Sequence, residues 1–179
     1  MLISGSGNVA SFAAIKCREF GATVLTFSDS SGTILEPNGF SDDQIAELIA
    51  IKDRRGRCSE YKSATSKYHA GKRPWKLVNC DVAIPSATQN ELEEDDAKAL
   101  IAGGCKYVFE GANMPSTPAA INIIKPSAVY FPAKVTLVNI SLREREEYLS
   151  GCYFQSVKLH KLAGNKPWTN SRPLFSTKY

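Results

Sequence analysis

Residues 1–10 read Met1-Leu2-Ile3-Ser4-Gly5-Ser6-Gly7-Asn8-Val9-Ala10. A short apolar run enters a Gly-x-Gly-x-x-Ala turn and apolar residues at helical spacing follow, which predicts a strand, a tight turn and a helix. Gly5 permits the sharp bend and Gly7 lets a pyrophosphate approach the backbone, while the helix N-terminus offers unpaired N–H groups to the phosphates. The pattern is typical of a dinucleotide site, although the same turn also occurs in strand–helix units without a ligand.

A carboxylate follows this turn at the spacing that a nucleotide ribose requires. Ser28 and Asp29 directly follow the apolar run 22–27, which predicts a second strand. Dinucleotide sites place an acidic residue about 20 positions after the glycines. A capping-box pattern at 41–44 then predicts a helix that ends in four cations, Lys52, Arg54, Arg55 and Arg57. Cations at this position either complement the helix dipole or bind the 2′-phosphate of NADP. These residues alone therefore do not decide whether the cofactor is NAD or NADP.

Strand, loop and helix alternate four times along the first 134 residues. The later predicted strands cover 80–85, 106–110 and 128–131. This alternation predicts an α/β fold, a doubly wound Rossmann-like parallel sheet with helices on both faces, incomplete and followed by a non-matching C-terminal tail. Between the second and third predicted strands, residues 58–79 are polar, and we expect irregular structure or a short helix there.

The composition fits one ordinary globular domain with a tail. The 179 residues are 43% hydrophobic and 22% charged, and no apolar run approaches the ~18 residues of a membrane span. Five cysteines are scattered and odd in number, which favours free thiols, and nothing resembles a signal peptide, so we expect a cytoplasmic protein. The two histidines, His69 and His160, have no ligand partner at a suitable spacing, so no metal site is expected.

Five motifs, in this order along the chain, resemble the cofactor-binding domain of NADP-type glutamate dehydrogenases. They are residues 4–10, 28–33, 71–75, 87–92 and 110–115. The resemblance covers about residues 2–134, and we take 1–134 as a dinucleotide-binding domain. It implies an oxidoreductase that interconverts glutamate with 2-oxoglutarate and ammonia by hydride transfer to a nicotinamide, usually as a homohexamer.

The resemblance also implies cofactor-binding residues in three groups, and NADP as the cofactor. At the pyrophosphate turn they are Gly5, Ser6, Gly7, Asn8 and Val9. At the adenosine ribose they are Asp29 and Ser30, with Lys52 and a neighbouring arginine near a 2′-phosphate, and at the nicotinamide side they are Thr88, Gln89, Asn90 and Asn113. Polar residues in such loops have an alternative role, because they also hydrogen-bond the backbone groups of their own turns.

In this family the lysine and aspartate that act on the substrate belong to a preceding domain that residues 1–179 do not include. We therefore assign no catalytic residue and expect no turnover from this chain alone, because hydride transfer needs the acceptor carbon held in a closed cleft. One alternative is a non-catalytic NADP-binding protein that associates with full-length subunits. Another is the product of a degraded gene.

Residues 135–179 depart from the family pattern, and a change of reading frame after Lys134 would account for the difference. They hold seven Lys and Arg against three Asp and Glu, so the positive net charge belongs to this segment. We expect an irregular basic tail with a short helix at 141–149. A basic tail suits nucleic acid, but a solvated tail is commoner, and we expect neither a nucleic-acid nor a membrane partner.

Overall fold

The computed structural model describes residues 1–133. The expected basic tail and its helix at 141–149 lie outside the described residues. In chain order the strands are β1 (Leu2–Ile3), β2 (Thr26–Asp29), β3 (Gly32–Leu35), β4 (Lys67–Ala70), β5 (Val82–Ile84), β6 (Tyr107–Phe109) and β7 (Val129–Phe131). The α-helices are α1 (Asn8–Glu19), α2 (Asp42–Asp53), α3 (Glu94–Ala102) and α4 (Pro118–Ser127), and single 3-10 turns cover Cys58–Glu60 and Pro74–Lys76.

Four strands form the predicted parallel sheet, in the order β1-β5-β6-β7. Alternate residues along these strands face two separate apolar clusters, as Ile84 and Ala83 on β5 illustrate. Helices α1 and α2 contribute to the cluster that contains Ile84, whereas α3 and α4 contribute to the one that contains Ala83. The sheet therefore carries helices on both faces, which confirms the predicted α/β class.

Strand β2 lies beside β1, and side-chain hydroxyls complete part of the ladder between them. The Thr26 hydroxyl accepts from the N–H of Ile3 and donates to its carbonyl, both at 3.0 Å. The Ser28 hydroxyl accepts from the N–H of Gly5 at 2.9 Å, and the Ser28 N–H donates to the Gly5 carbonyl at 3.0 Å. These bonds bring the end of β2 next to the glycine turn.

A second sheet, β2-β3-β4, is antiparallel and corrects the sequence analysis in this region. Residues 58–79 are predicted to be irregular or to form a short helix, yet β4 covers Lys67–Ala70, and β3, which the sequence pattern does not predict, begins at Gly32. Strand β2 also begins later than the expected 22–27 and extends through Asp29. Because Gly32 pairs with Ala70, the segment that follows β4 begins close to the end of β2.

Two helix starts follow the sequence signals closely. Ser41 caps α2 in a capping box, because its hydroxyl accepts from the Gln44 N–H at 3.2 Å and the Gln44 side chain accepts from the Ser41 N–H at 2.7 Å. Thr117 caps α4 through the N–H of Ala120 at 3.2 Å. Within residues 1–133 no helix has the length and apolar character to cross a membrane.

Candidate functional site

A cleft of about 530 Å³ opens where β1, β2 and β5 end. Seven of the predicted cofactor-binding residues line it: Gly5, Ser6, Gly7, Asp29, Ser30, Lys52 and Thr88. The carboxyl ends of parallel strands are where open α/β sheets bind ligands, so the lining matches the expected location. The other five, Asn8, Val9, Gln89, Asn90 and Asn113, do not line the cleft and stay predictions.

The glycine turn has two glycines with different roles. Gly5 has a φ of +86°, and a Cβ at this position would lie 2.8 Å from the Ser86 carbonyl oxygen. The fold therefore needs glycine there. Gly7 is the N-cap of α1 with a φ of −84°, no side chain caps the helix, and a Cβ at Gly7 would meet open space. Because Gly7 also lines the cleft, α1 begins at the cleft wall, and the first N–H groups of a helix have no partner within the helix.

Asp29 ends β2 and is held by three hydrogen bonds. One carboxylate oxygen accepts from the N–H of Ser31 at 2.8 Å and from its hydroxyl, and the other accepts from the N–H of Cys58 at 2.8 Å. Burial raises the pKa of Asp29, but these hydrogen bonds and the charge of Lys52 outweigh it, so the pKa lies below its ordinary value. Asp29 is thus ionised at neutral pH, and three of its acceptor positions are taken by groups of the chain itself.

Basic residues approach the cleft from two sides. Lys52 lines it from the end of α2, while Lys72 and Arg73 line it from the segment that follows β4. Lys72 is fixed by its backbone, since its carbonyl accepts from the Thr33 hydroxyl at 2.6 Å. Among residues 1–133 neither Lys52 nor Lys72 forms a salt bridge, whereas Arg73 pairs with Glu93 at 3.0 Å. The lysines are therefore available to an anionic ligand.

The other basic residues of the predicted cluster, Arg54, Arg55 and Arg57, do not line the cleft. Arg54 forms a salt bridge with Glu60 at 2.9 Å, and Arg57 donates to the Ser30 hydroxyl at 2.7 Å. Arg55 has a φ of +62° just beyond the end of α2. Of the four cations at the C-terminal end of α2, Lys52, Arg54, Arg55 and Arg57, only Lys52 lines the cleft.

Sequence reasoning missed the lining residues Lys72, Arg73 and Glu91. The Gly71–Trp75 motif supported the family resemblance but was given no role, and it was the signal that could have identified Lys72. Glu91 is buried, and its carboxylate accepts from the Ala87 N–H at 2.9 Å, so it braces the loop that contains Thr88. Burial raises the pKa of Glu91 above its ordinary value, although the hydrogen bond from the Ala87 N–H and the positive charge of Arg73 both act to lower it.

The two loops expected at the nicotinamide side lie against each other. The N–H of Asn90 donates to the Met114 carbonyl at 3.0 Å, and the Leu92 N–H donates to the Pro115 carbonyl at 2.9 Å. Asn90 and Met114 both have left-handed backbones, with φ values of +53° and +48°. Such conformations are uncommon outside glycine and cluster at functional sites. The structure thus brings together the loops that carry Gln89, Asn90 and Asn113, whose side chains are exposed.

Within residues 1–133 no group of three or more His, Cys, Asp or Glu side chains is placed to hold a metal ion. Fold and cleft together define a doubly wound α/β domain whose glycine turn and helix N-terminus face a basic cleft. The strand, tight turn and helix predicted from the first ten residues are confirmed.

Comparison with known proteins narrows this class. A family model described as Glutamate/Leucine/Phenylalanine/Valine dehydrogenase matches residues 1–138, and the chain belongs to this family. It is 47% identical over 142 residues to the NADP-specific glutamate dehydrogenase of Giardia intestinalis, covering 76% of this chain and 32% of that protein. It is 50% identical over 131 residues to the NADP-specific glutamate dehydrogenase of Escherichia coli strain K12, covering 72% and 29%.

The fold agrees with solved structures of similar proteins. A glutamate dehydrogenase from Plasmodium falciparum superposes with a TM-score of 0.73 at 45% identity, covering 75% of this chain and 30% of that one. The resemblance to glutamate dehydrogenases inferred from five motifs is thereby confirmed. The chain spans about a third of the length of the curated relatives that it matches.

Proposed function

We propose that this chain is the NADP(H)-binding portion of a glutamate dehydrogenase. The observation that carries the proposal is the uncapped start of α1 at Gly7, open to a cleft that Lys52 and Lys72 also line. A dinucleotide pyrophosphate fits such a helix N-terminus, because the N–H groups and the helix dipole both favour negative charge. The printed names of the Giardia and Escherichia relatives support NADP as the cofactor.

Within this proposal, the cleft prefers a phosphorylated ribose. All three hydrogen bonds to Asp29 come from within the chain, so this carboxylate is occupied with positioning the Cys58 segment. Lys52 and Lys72 supply positive charge near the end of β2, where a 2′-phosphate is bound in NADP sites. Ser30 holds Arg57 at the same edge through the 2.7 Å hydrogen bond. We therefore assign Lys52 and Lys72 to the 2′-phosphate.

The nicotinamide half of the cofactor is assigned to the loops after β5 and β6. Thr88 lines the cleft, and Gln89, Asn90 and Asn113 lie on the two loops that the Asn90–Met114 hydrogen bond joins. When bound, the nicotinamide supplies the hydride chemistry, and the chain's own residues orient the ring. Oxidation of glutamate to 2-oxoglutarate and ammonia, and its reverse, also needs groups that hold the substrate. We propose that the 179 residues alone bind the cofactor without turning over.

The proposal is tested by the NADPH-to-NADH affinity ratio of matched lysine variants. Lys52→Ala removes a charge from the cleft, whereas Lys62→Ala removes one from an exposed position that does not line it. Loss of a charge-assisted bond to phosphate weakens NADPH binding by roughly 10- to 100-fold in Lys52→Ala and leaves NADH binding unchanged. The same loss for both cofactors, or an equal loss in Lys62→Ala, would refute the assignment of Lys52.

A second function, as a non-catalytic NADP-binding partner of full-length subunits, is favoured by the edge of the parallel sheet. Within residues 1–133 β7 pairs with β6 alone, and Val129 on it is 49% exposed. Co-expression with a full-length glutamate dehydrogenase from the same source distinguishes the two functions. Stable mixed oligomers favour the partner function, and separate elution argues against it.

We propose a cytoplasmic location because the cysteines are scattered along the chain. Four of the five, Cys17, Cys58, Cys80 and Cys105, are described, and all four are free thiols. Free thiols are typical of reducing compartments. Fractionation of the source cells, with an antibody against this chain, tests the location.

A further inference from the structure

Two cysteines lie side by side at the amino ends of β5 and β6, away from the cleft. Val82 pairs with Tyr107 in the parallel register, and Cys80 and Cys105 each lie two residues before this pair. The Asp81 carbonyl accepts from the N–H of Lys106 at 2.8 Å and of Tyr107 at 3.1 Å, which keeps the two chain segments adjacent at this point.

The two side chains also meet. The thiols of Cys80 and Cys105 are close enough that each shifts the pKa of the other, and both pack against the apolar cluster of α3 and α4. The Cys105 thiol donates to the carbonyl of Tyr107 at 3.4 Å. Neighbouring strands lie about 4.8 Å apart, which falls within the ~4.4–6.8 Å between Cα atoms that a disulfide spans. Cys105 is buried, whereas Cys80 is only partly buried and open to a small reagent.

We propose that Cys80 and Cys105 form a reversible disulfide that ties β5 to β6, with a small-molecule disulfide such as oxidised glutathione as the oxidant. The Cys80 thiolate attacks the S–S bond of the reagent and releases one small thiolate. The Cys105 thiolate then attacks the Cys80 sulfur of the mixed disulfide and releases the second. The protein loses two protons and two electrons, and the reagent is reduced to two thiols.

Exposure makes Cys80 the first attacking group, because Cys105 is buried and Cys80 is only partly buried. The interaction with Cys105 and burial raise the pKa of Cys80, so the exchange proceeds through a small thiolate fraction and is slow. Cys17 and Cys58 are both buried, and burial raises their pKa values to about 12 and about 11. A small reagent cannot reach these two thiols in the folded chain, so they serve as internal negative controls.

The test oxidises the folded 179-residue chain with oxidised glutathione and maps its cysteines by mass spectrometry without reduction. We expect one linked peptide pair, Cys80 with Cys105, that lacks two hydrogens and that dithiothreitol reverses. In Cys105→Val the mixed disulfide with glutathione is trapped on Cys80, whereas in Cys80→Val the Cys105 thiol stays free. A persistent glutathione adduct on Cys80 of the unaltered chain, or linkage of Cys80 to Cys152 or to a second chain, would overturn the proposal.

Thermal unfolding provides a second measurement. A native-geometry disulfide that closes the loop 80–105 raises Tm of the oxidised chain by about 5–10 °C over the reduced chain. Cys17→Ala retains this shift, and Cys80→Val does not. An oxidised chain that is fully linked but melts at or below the reduced chain would show that the bridge distorts the native strands, which contradicts the proposal. Neither measurement involves cofactor binding, so the outcome is independent of the proposed function.

Discussion

The carboxylate of Asp29 accepts a 2.8 Å hydrogen bond from the backbone N–H of Cys58. This bond joins the end of β2 to the segment that follows α2. Arg57 precedes Cys58 and donates to the hydroxyl of Ser30, which lines the cleft together with Asp29 and Lys52. The acidic residue of the dinucleotide motif thus holds the end of β2 against a basic segment of the chain. This relationship underlies the assignment of a phosphorylated cofactor.

Replacement of Asp29 by Asn tests this positioning role. The Asn side chain has one oxygen where the carboxylate has two, so either the Ser31 N–H or the Cys58 N–H loses its acceptor and faces an NH₂ group. We therefore expect the free energy of unfolding to fall by about 1–3 kcal/mol at neutral pH. Urea unfolding measures it, and Asp53→Asn, an exposed position at the end of α2, provides a control that should change by less than about 0.5 kcal/mol.

The stability difference between Asp29→Asn and the unaltered chain should depend on pH. The pKa of Asp29 in the folded chain lies below the ordinary 3.8. A carboxyl with a lowered pKa contributes stability that is present above its unfolded pKa and lost as pH falls through the folded value. The difference should therefore narrow only as pH falls below 3.8. A difference that disappears between neutral pH and 3.8 would contradict the assigned ionisation.

Substitutions at the two glycines of the first turn should have different effects, one on the free energy of unfolding and the other on cofactor binding. Gly5→Ala forces a Cβ against the Ser86 carbonyl in a left-handed conformation, so we expect a loss of at least about 1–2 kcal/mol in unfolding free energy. Gly7→Ala meets open space and should cost less than about 1 kcal/mol, while its methyl group hinders a bound pyrophosphate. Denaturation and cofactor titration of both variants measure the contrast. Equal stability losses with equal binding would refute it.

The capping box of α2 should be worth a measurable amount of stability. Ser41→Ala removes the hydroxyl that accepts from the Gln44 N–H, and we expect a loss of about 1 kcal/mol. Ser41→Asp retains a capping oxygen and should restore most of the loss. Urea midpoints of the three proteins give the comparison. If Ser41→Asp is as unstable as Ser41→Ala, the capping assignment is wrong.

Several parts of this fold could be predicted because their signals are local. The Gly5 turn, the Ser41 capping box and the Thr117-Pro118 helix start each depend on residues within one turn of the chain, and the structure contains all three. The buried strand before Pro85 was visible from its apolar run and from the inability of proline to continue the ladder.

The β2-β3-β4 sheet could not be predicted because its cause is long-range. Strand β4 is polar and mostly exposed, so it shows no apolar alternation, and it forms because β3 pairs with it across some 30 intervening residues. Lys72 and Arg73 reach the cleft only through this pairing. The exposed Asn90 and Asn113 were selected from the family resemblance, and their cofactor contacts stay predictions.

Cys17 and Cys58 should resist alkylation in the folded chain. Burial raises their pKa values to about 12 and about 11, so their thiols are protonated at neutral pH. Iodoacetamide should label them at least about a hundredfold more slowly than in urea, because the thiolate is the reactive form. Labelling followed by peptide mapping measures both rates. Rapid labelling of Cys17 under native conditions would disprove its assigned environment.

Calorimetric titration of the 179-residue chain with NADPH, and in parallel with NADH, tests the central claim most directly. The uncapped helix start at Gly7 and the two cleft lysines predict saturable binding of NADPH and weaker binding of NADH. Added salt should weaken the NADPH interaction more, since the 2′-phosphate carries the extra charge. Equal affinities for the two cofactors, or tighter binding of NADH, would contradict the assignment of Lys52 and Lys72. Binding of neither cofactor to a folded chain would contradict the dinucleotide site itself.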